Sequence, residues 1–513
     1  MIAAATTDVI PFGPVALGFI GLYLLSMIWI GWLGMRARQE NTLRDHFIGG
    51  QGVGFFVLLL TLFATQYSGN TILGFSGKAY RIGFAWLTCV HFMTAIVVTY
   101  LLFAPRLFKL AKQHAFLTPT DYLQHRFNHR GLNLLATLIM VAALSNFFLA
   151  QLTAMGRAVE GLTTLPPETA FLWGVVVLAG IMLVYETMGG FRAVAWTDVI
   201  QGGVLALGFA VLLVLIFKEY GSMEETTRKL LATAPEKVLP PQGLALKNWI
   251  SYIFLLGVGA ALYPQAIQRI YAAKSATTLR KSLAVMAFMP LGTALIAVLV
   301  GVTAAAHLAG ELKGAGSDAV LGVMLRHIQE QSVFGHAVVV LIFAAVLGAI
   351  MSTADSALLS ISSMVTKDLY AGFIRPDAGQ EALTRLGKRI STLFMIALAA
   401  LAVWLNNSGT KLTLVELLEM KFDMLLQLAP AFMIAIHWKG MRAGPVFAGM
   451  LIGLAFALCF FWVPAKGDGF LTLLKNSGFH PGLYALLLNI GIGVTGSWIV
   501  NARSKTESRR DPP

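Results

Sequence analysis

The chain has 513 residues, of which 57% are hydrophobic and only 12% charged, about half the charged share of an ordinary soluble domain. Basic residues outnumber acidic ones 38 to 25, a net charge of +13, yet they lie in short gaps between apolar stretches and form no continuous face or run, which argues for membrane topology and against nucleic-acid binding. Only two cysteines occur, Cys89 and Cys459, both inside apolar stretches, so neither a disulfide framework nor a zinc site is expected.

The first apolar stretch, residues 13–35, has no Lys or Arg before Arg36 and exceeds the roughly 7 to 15 residues of a signal-peptide core. It reads as a retained span. Further stretches near the length of a membrane crossing follow at 55–76, 83–104, 132–156, 170–187, 193–217, 248–272, 282–306, 334–366, 389–405, 413–437, 443–463 and 481–500. The predicted class is an all-α polytopic membrane protein of about thirteen helices, one transport domain over residues 1–512, with 501–513 as a cytoplasmic tail whose final TESRRDPP is expected to be disordered.

An odd helix number puts the termini on opposite sides. With the N-terminus outside, the cytoplasmic gaps and tail collect 24 basic residues against 13 outside, so the positive-inside rule places the C-terminus in the cytoplasm. That count assigns Arg192 and Arg269 to cytoplasmic gaps. The expected location is a cell membrane, the inner one in a bacterium.

Glycine, proline and small polar clusters inside a span signal irregular backbone that lines a protected cavity. The second span reads LFATQYSGNTILGFSG, with Ser68, Gly69 and Asn70 near its middle, and the seventh reads LLGVGAALYPQAIQR, with Gly257, Gly259 and Pro264. Paired breaks five helices apart mark an inverted-repeat transporter with a site at the midplane. Close helix packing is the alternative reading of the small residues.

The ninth span carries FAAVLGAIMSTADSALLSISSMVTKDLY. At 3.6 residues per turn, Ala349, Ser352, Thr353 and Ser356 share one face. Hydroxyls and freed carbonyls there could hold a small hard cation; singly, each serine could instead bond back to its own helix. Asp355 in this span and Asp198 in GGFRAVAWTDVIQGG of the sixth are costly, on the order of 2.5 to 3.5 kcal/mol each at a span centre. Asp198 could bind an ion, or tie Arg192 or a helix N-terminus.

GGFRAVAWTDVIQ, AIMSTADSALLSISSMVTKDLY and the broken second span with its SG pair resemble the sodium/solute symporter family. Its members carry sugars, proline, pantothenate, monocarboxylates or sialic acid with sodium. The resemblance covers roughly residues 10–500. It implies five-plus-five inverted repeats over 55–217 and 248–437, one extra span before and two after at 443–500.

By motif match, the family's shared sodium site falls on the carbonyls of Ala64, Tyr67 and Ala349 and the hydroxyls of Ser352 and Thr353. A second sodium site, seen in part of the family, falls near Asp198, Ser352, Asp355 and Ser356, with Asp355 where that site uses serine. Proline carriers place an aspartate where this chain has Gln66 and aromatic residues where it has Leu256, Ala260 and Phe147. KAYRIGFAW, Gln151 and GFHP are similar to the pantothenate branch, and YPQAIQRIYAAKS to monocarboxylate carriers. Substrate is expected near Tyr67, Ser68, Asn70, Gln151, Tyr263 and Lys421.

Lys421 adds a physical prompt. It lies about nine residues, roughly 13 Å, inside the eleventh span, where a lysine snorkels outward, pairs with a carboxylate of another span, or meets a substrate anion. Glu419 and Asp423 flank it two residues away and point largely elsewhere. His91 in the third span reads as a hydrogen-bonded packing residue. The expected function is sodium-coupled symport of a small carboxylate. Proline, another amino acid or a sugar as substrate, proton coupling, and a non-transporting sensor are the alternatives. No nucleophile and base pair, metal cluster or phosphate loop suggests an enzyme.

Overall fold

The computed structural model describes residues 12–510 except 161, 162, 164, 409–413, 461, 462 and 464–468, with the backbone alone at 51, 70, 315, 331, 414, 416, 417 and 505–510. In chain order the helices are α1 (Pro14–Arg36), α2 (Leu43–Ile48), α3 (Phe55–Gln66), α4 (Phe75–Ile82), α5 (Thr88–His114), α6 (Pro119–Phe127) and α7 (Arg130–Glu160). Then come α8 (Pro167–Tyr220), α9 (Met223–Thr233), α10 (Gly243–Gly259), α11 (Pro264–Ala272), α12 (Ala276–Met286), α13 (Ala294–His307) and α14 (Val320–Gln331). The last six are α15 (Val333–Met364), α16 (Gln380–Asn407), α17 (Leu414–Leu425), α18 (Ala443–Cys459), α19 (Phe470–Lys475) and α20 (Pro481–Arg510).

Among the described residues, nine helical stretches have the length and hydropathy to cross a membrane. Large apolar side chains such as Leu22, Trp29, Trp404 and Trp498 face outward, as lipid contact requires of a bundle whose backbone bonds are satisfied within helices. The longest stretch, α8, has 54 residues, about 80 Å at the helical rise against a hydrocarbon core near 30 Å. It is divided at Gly190, whose φ of 57° and ψ of −144° leave the helical region. A side chain at that position would also run into the carbonyl of His46.

Both expected helix breaks occur. α3 stops at Gln66, Tyr67 is extended (φ −103°, ψ 98°), and a π-type turn at Asn70–Gly74 leads into α4. Thr71 Oγ1 takes the Ser68 amide at 3.3 Å, replacing the helical bond. α10 tightens into a 3-10 turn at Ala260–Leu262 and ends at Tyr263 (φ −55°, ψ 123°), because Pro264 has no N–H and pushes the residue before it out of the α region. The packing reading holds as well: a β-carbon on Gly69 would lie 2.9 Å from Ile350, and one on Gly257 would lie 2.7 Å from Ala95. The far ends of the two broken helices meet in a backbone bridge, with Val53 N donating to Ala272 O at 3.1 Å and Lys274 N to Val53 O at 2.9 Å.

Three local expectations change. The stretch 282–306 is two helices, α12 and α13, joined by a turn at Met289–Gly292 that holds Pro290, where a continued helix would clash with its own backbone. The tail after residue 500, expected to be disordered from Thr506, continues α20 to Arg510; 511–513 lie outside the described residues. Arg269, counted as a cytoplasmic-gap residue, lies in α11 with 2% of its surface exposed.

Candidate functional site

The break after α3 frees carbonyls, and the hydroxyl face of α15 packs against them. Ser352 Oγ lies 3.3 Å from Ala64 O and 3.2 Å from Ala349 O. Thr353 Oγ1 lies 3.4 Å and 2.8 Å from the same two oxygens. Four oxygens from two helices therefore converge, all on residues at most 1% exposed. Tyr67, one residue past the end of α3, turns its carbonyl out of the helical ladder by its extended backbone. Neutral oxygens in this number are what a small hard cation takes, and the geometry brings together four of the five oxygens expected for sodium.

Asp198, Asp355 and Ser356 meet beside this group, around a residue that the charge pattern had misplaced. Arg269 Nη2 donates to Asp198 Oδ2 at 2.9 Å and to Ser356 Oγ at 2.6 Å, and its Nε donates to Thr61 Oγ1 at 2.8 Å. Thr61 in turn donates to Asp198. Asp355 accepts from Tyr185 Oη at 2.6 Å and from Ser356 Oγ at 3.1 Å. The tie to Arg192 considered for Asp198 is not formed: Arg192 makes a two-pronged pair with Asp45 at 2.6 and 2.7 Å. Asp198 Oδ1 has no hydrogen-bond partner among the described residues.

On the other side of the two breaks lies a cavity of about 20 Å³, lined among others by Gln66, Ser68, Phe147, Leu256, Tyr263 and Phe422. That is room for about one water, so this conformation holds the site nearly shut. Gln66 Nε2 bonds Tyr100 Oη at 2.9 Å, and that hydroxyl reaches Ala260 O at 3.3 Å. Of the residues expected at substrate, Ser68 and Tyr263 line the cavity. Tyr67 packs its ring on Phe63, centroids 4.7 Å apart. Gln151 is fully buried with both polar ends unpartnered among the described residues, and its Oε1 lies 3.5 Å from where a side chain on Gly69 would begin. At Asn70 only the backbone is described.

Lys421 is fully buried, and its Nζ has no hydrogen-bond or ion-pair partner among the described residues. It lies 3.3 Å from the Phe147 ring centroid, 5.2 Å from that of Phe422 and 5.3 Å from that of Tyr263, three rings that also line the cavity. Among the described residues no carboxylate on another span, the expected alternative, pairs with it. Its neighbours Glu419 and Asp423 serve the opposite face of α17: Glu419 accepts from Tyr252, and Asp423 Oδ1 sits 2.9 Å from His480 Nδ1. Burial opposes charge on His480, which precedes α20, but the Asp423 and Glu419 carboxylates prevail and raise its imidazole to about 10. Phe147 and Phe422 as walls of a lysine box, and Arg269 as a buried cation, are what reading the sequence missed. Arg269 follows Pro264 by five residues, within the second half of a broken span, and that spacing was the available signal.

His91 bonds the Leu87 carbonyl at 2.9 Å and packs tilted against Trp249, a packing role. Both cysteines are free. Among the described residues no group of three or more His, Cys, Asp or Glu could hold a metal ion.

Residues 46–453 match the model of the sodium:solute symporter family. The chain belongs to that family. It is therefore a multi-pass membrane protein and a sodium-coupled solute symporter, not an enzyme. Among its relatives are an osmoregulated proline transporter of Bacillus subtilis, 27% identical over 495 residues and 96% of each chain. Another is a sodium/pantothenate symporter of Escherichia coli, 28% identical over 480 residues, 91% of this chain and 93% of that one. A solved structure, the substrate-bound outward-open state of a sodium-coupled sialic acid symporter, superposes with a TM-score of 0.76 at 20% identity over 95% of this chain and 98% of the other. That likeness supports the shared helical fold.

Proposed function

We propose that this symporter carries a small carboxylate, of the pantothenate or monocarboxylate kind, together with sodium, and that Lys421 takes the carboxylate. The observation that carries the reading is the buried Lys421 amine, with no anionic partner among the described residues, packed against three aromatic rings that line the cavity. Burying such a charge unpaired is expensive. Three ring faces offset part of that expense by cation–π attraction. A substrate carboxylate entering from the Ser68 side would supply the missing anion.

The rest of the reading rests on the span pattern and charge count of the sequence, with the converging oxygens in support. The chain makes thirteen crossings, with five-plus-five repeats over 55–217 and 248–437, the N-terminus outside and the C-terminus in the cytoplasm. Sodium is bound by the carbonyls of Ala64, Tyr67 and Ala349 and the hydroxyls of Ser352 and Thr353. Those hydroxyls, which now donate to Ala64 and Ala349, would turn their lone pairs to the ion. An ion there ties the α3 break to α15 and so orders Tyr67 and Ser68, the latter on the substrate cavity. Each ligand thereby favours the other, which is the coupling that symport requires. Rocking of the bundle then exposes the joint site to either side.

With one sodium and one monoanion the cycle moves no net charge. A second sodium near Asp198, Ser352, Asp355 and Ser356 would restore electrical drive, worth about 2.3 kcal/mol per charge at 100 mV, or roughly a fiftyfold gradient. Asp355 beside Ser356, which Arg269 also contacts, and the Asp198 Oδ1 left unpartnered among the described residues, support that second position.

Binding to the purified protein of pantothenate, simple monocarboxylates, proline and sugars, each with and without sodium, tests this. Carboxylates should bind tightly only with sodium, and Lys421→Met should weaken them by about tenfold or more, the usual worth of a hydrogen bond to a charged group. Unchanged carboxylate affinity in that variant would overturn the substrate class. Uptake that needs acid outside and ignores sodium would favour proton coupling, and binding without accumulation in vesicles would favour a sensor.

A further inference from the structure

A second, larger cavity lies well away from the substrate path, where the C-terminal end of α15 passes through a π-type turn (Val365–Ile374) into α16. It measures about 640 Å³ and is lined by Tyr370, Arg375, Asp377, Arg385 and Arg389 together with apolar residues including Ile374 and Leu386. Three arginines against one aspartate give the wall a surplus of two positive charges. Arg385 has a long contact of 3.9 Å to Glu381, one turn away and equally exposed. Arg375 and Arg389 make no ion pair among the described residues.

The surroundings narrow what could enter. Phe373 and Ile374 on one side are 45% and 69% exposed, and Leu393 and Ile396 farther along α16 are 65% and 62% exposed. Arg389 and Leu393 are four residues apart, so the apolar strip runs along the helix directly from the charged wall. Such a strip on a spanning helix faces hydrocarbon, which puts the arginines at headgroup level. An oxyanion with forked guanidinium partners on one end, and aliphatic chains along α16 on the other, satisfies both halves of the surface. A free phosphate or a soluble anion would satisfy only the first.

We propose that this cavity binds the phosphate headgroup of an anionic phospholipid, held by Arg375, Arg385 and Arg389, with its acyl chains along Leu393 and Ile396. On the orientation proposed above, the lipid belongs to the cytoplasmic leaflet. The site does not depend on what the symporter carries.

The test reconstitutes the full chain in nanodiscs of phosphatidylcholine with and without phosphatidylglycerol, then measures lipid retained on the protein after detergent washing. The wild type should retain several times more phosphatidylglycerol than phosphatidylcholine. Neutralising two arginines in the Arg375→Gln/Arg389→Gln variant should remove most of that preference, about fivefold for each charge near an anionic surface. Should that variant fold poorly, Asp377→Asn, which adds to the surplus, should raise retention. Equal retention of the two lipids by the wild type, a preference untouched by these substitutions, or displacement of the lipid by millimolar inorganic phosphate would each overturn the proposal.

Discussion

Two buried cations, Arg269 on α11 and Lys421 on α17, lie near the binding region, and their surroundings are opposites. Asp198, Thr61, Ser356 and the Gln265 carbonyl take four of the five N–H groups of Arg269. Lys421 meets aromatic faces and, among the described residues, no acceptor at all. Charge burial is therefore handled in two ways in one molecule. Where the counter-charge is built in, the cation clamps helices together; where it is left out, the proposed function gives the place to a substrate anion that comes and goes.

The comparison can be broken most sharply at Arg269. Removing one partner of a buried pair leaves the other uncompensated, at about 3 to 5 kcal/mol, so Arg269→Leu should lower the unfolding temperature more than any other single change made here. Adding Asp198→Asn should recover part of the loss, because it removes the stranded carboxylate. If Arg269→Leu melted like the wild type, the clamp would be fictitious. Lys421→Met should go the other way in the absence of substrate, leaving the unfolding temperature unchanged or raised, since it deletes a buried charge that has no partner. A large destabilisation would mean that Lys421 has a structural counter-ion after all.

A smaller effect is expected at the oxygens proposed for sodium. Ser352→Ala would remove one of several proposed neutral ligands and should raise the sodium concentration for half-maximal binding by about tenfold, on the order of 1.4 kcal/mol, with little change in the order of preference among substrates. Sodium titration at saturating substrate would read it directly.

The smallest effect concerns the opposite face of α17, where His480 joins Asp423 and Glu419. Its imidazole is raised from the ordinary 6.5 to about 10, so the ion pair contributes stability that is fully present below about pH 6.5 and fades as pH rises through 10. Thermal stability should thus decline by a few degrees between pH 8 and 10, and His480→Gln should flatten that slope. A profile identical to the wild type's in that variant would remove His480 from the account.

Much of this was legible in the residues. Pro264 and the Ser68–Gly69 pair announced the breaks because proline lacks a donor and small polar residues tolerate irregular backbone, both of which are local facts. The spacing of Ser352, Thr353 and Ser356 announced a hydroxyl face for the same reason. Arg269 was not legible as a clamp, since hydropathy cannot tell a basic residue at a span's end from one folded back into protein. Pro290 was legible and was passed over, because the apolar run on both sides suggested a single helix.

The sequence alone determined that the chain is a membrane bundle with two interrupted helices and a hydroxyl-lined third, since those properties depend on residues close together along the chain. It also determined which ionisable groups would be costly to bury. Tertiary structure alone decided what each of those groups would face: Arg269 for Asp198, Tyr185 for Asp355, three aromatic rings for Lys421. Apart from Phe422, the next residue along α17, those partners come from helices tens to hundreds of residues away, and no local pattern of hydrophobicity or spacing can specify which distant side chain arrives at a given point in space.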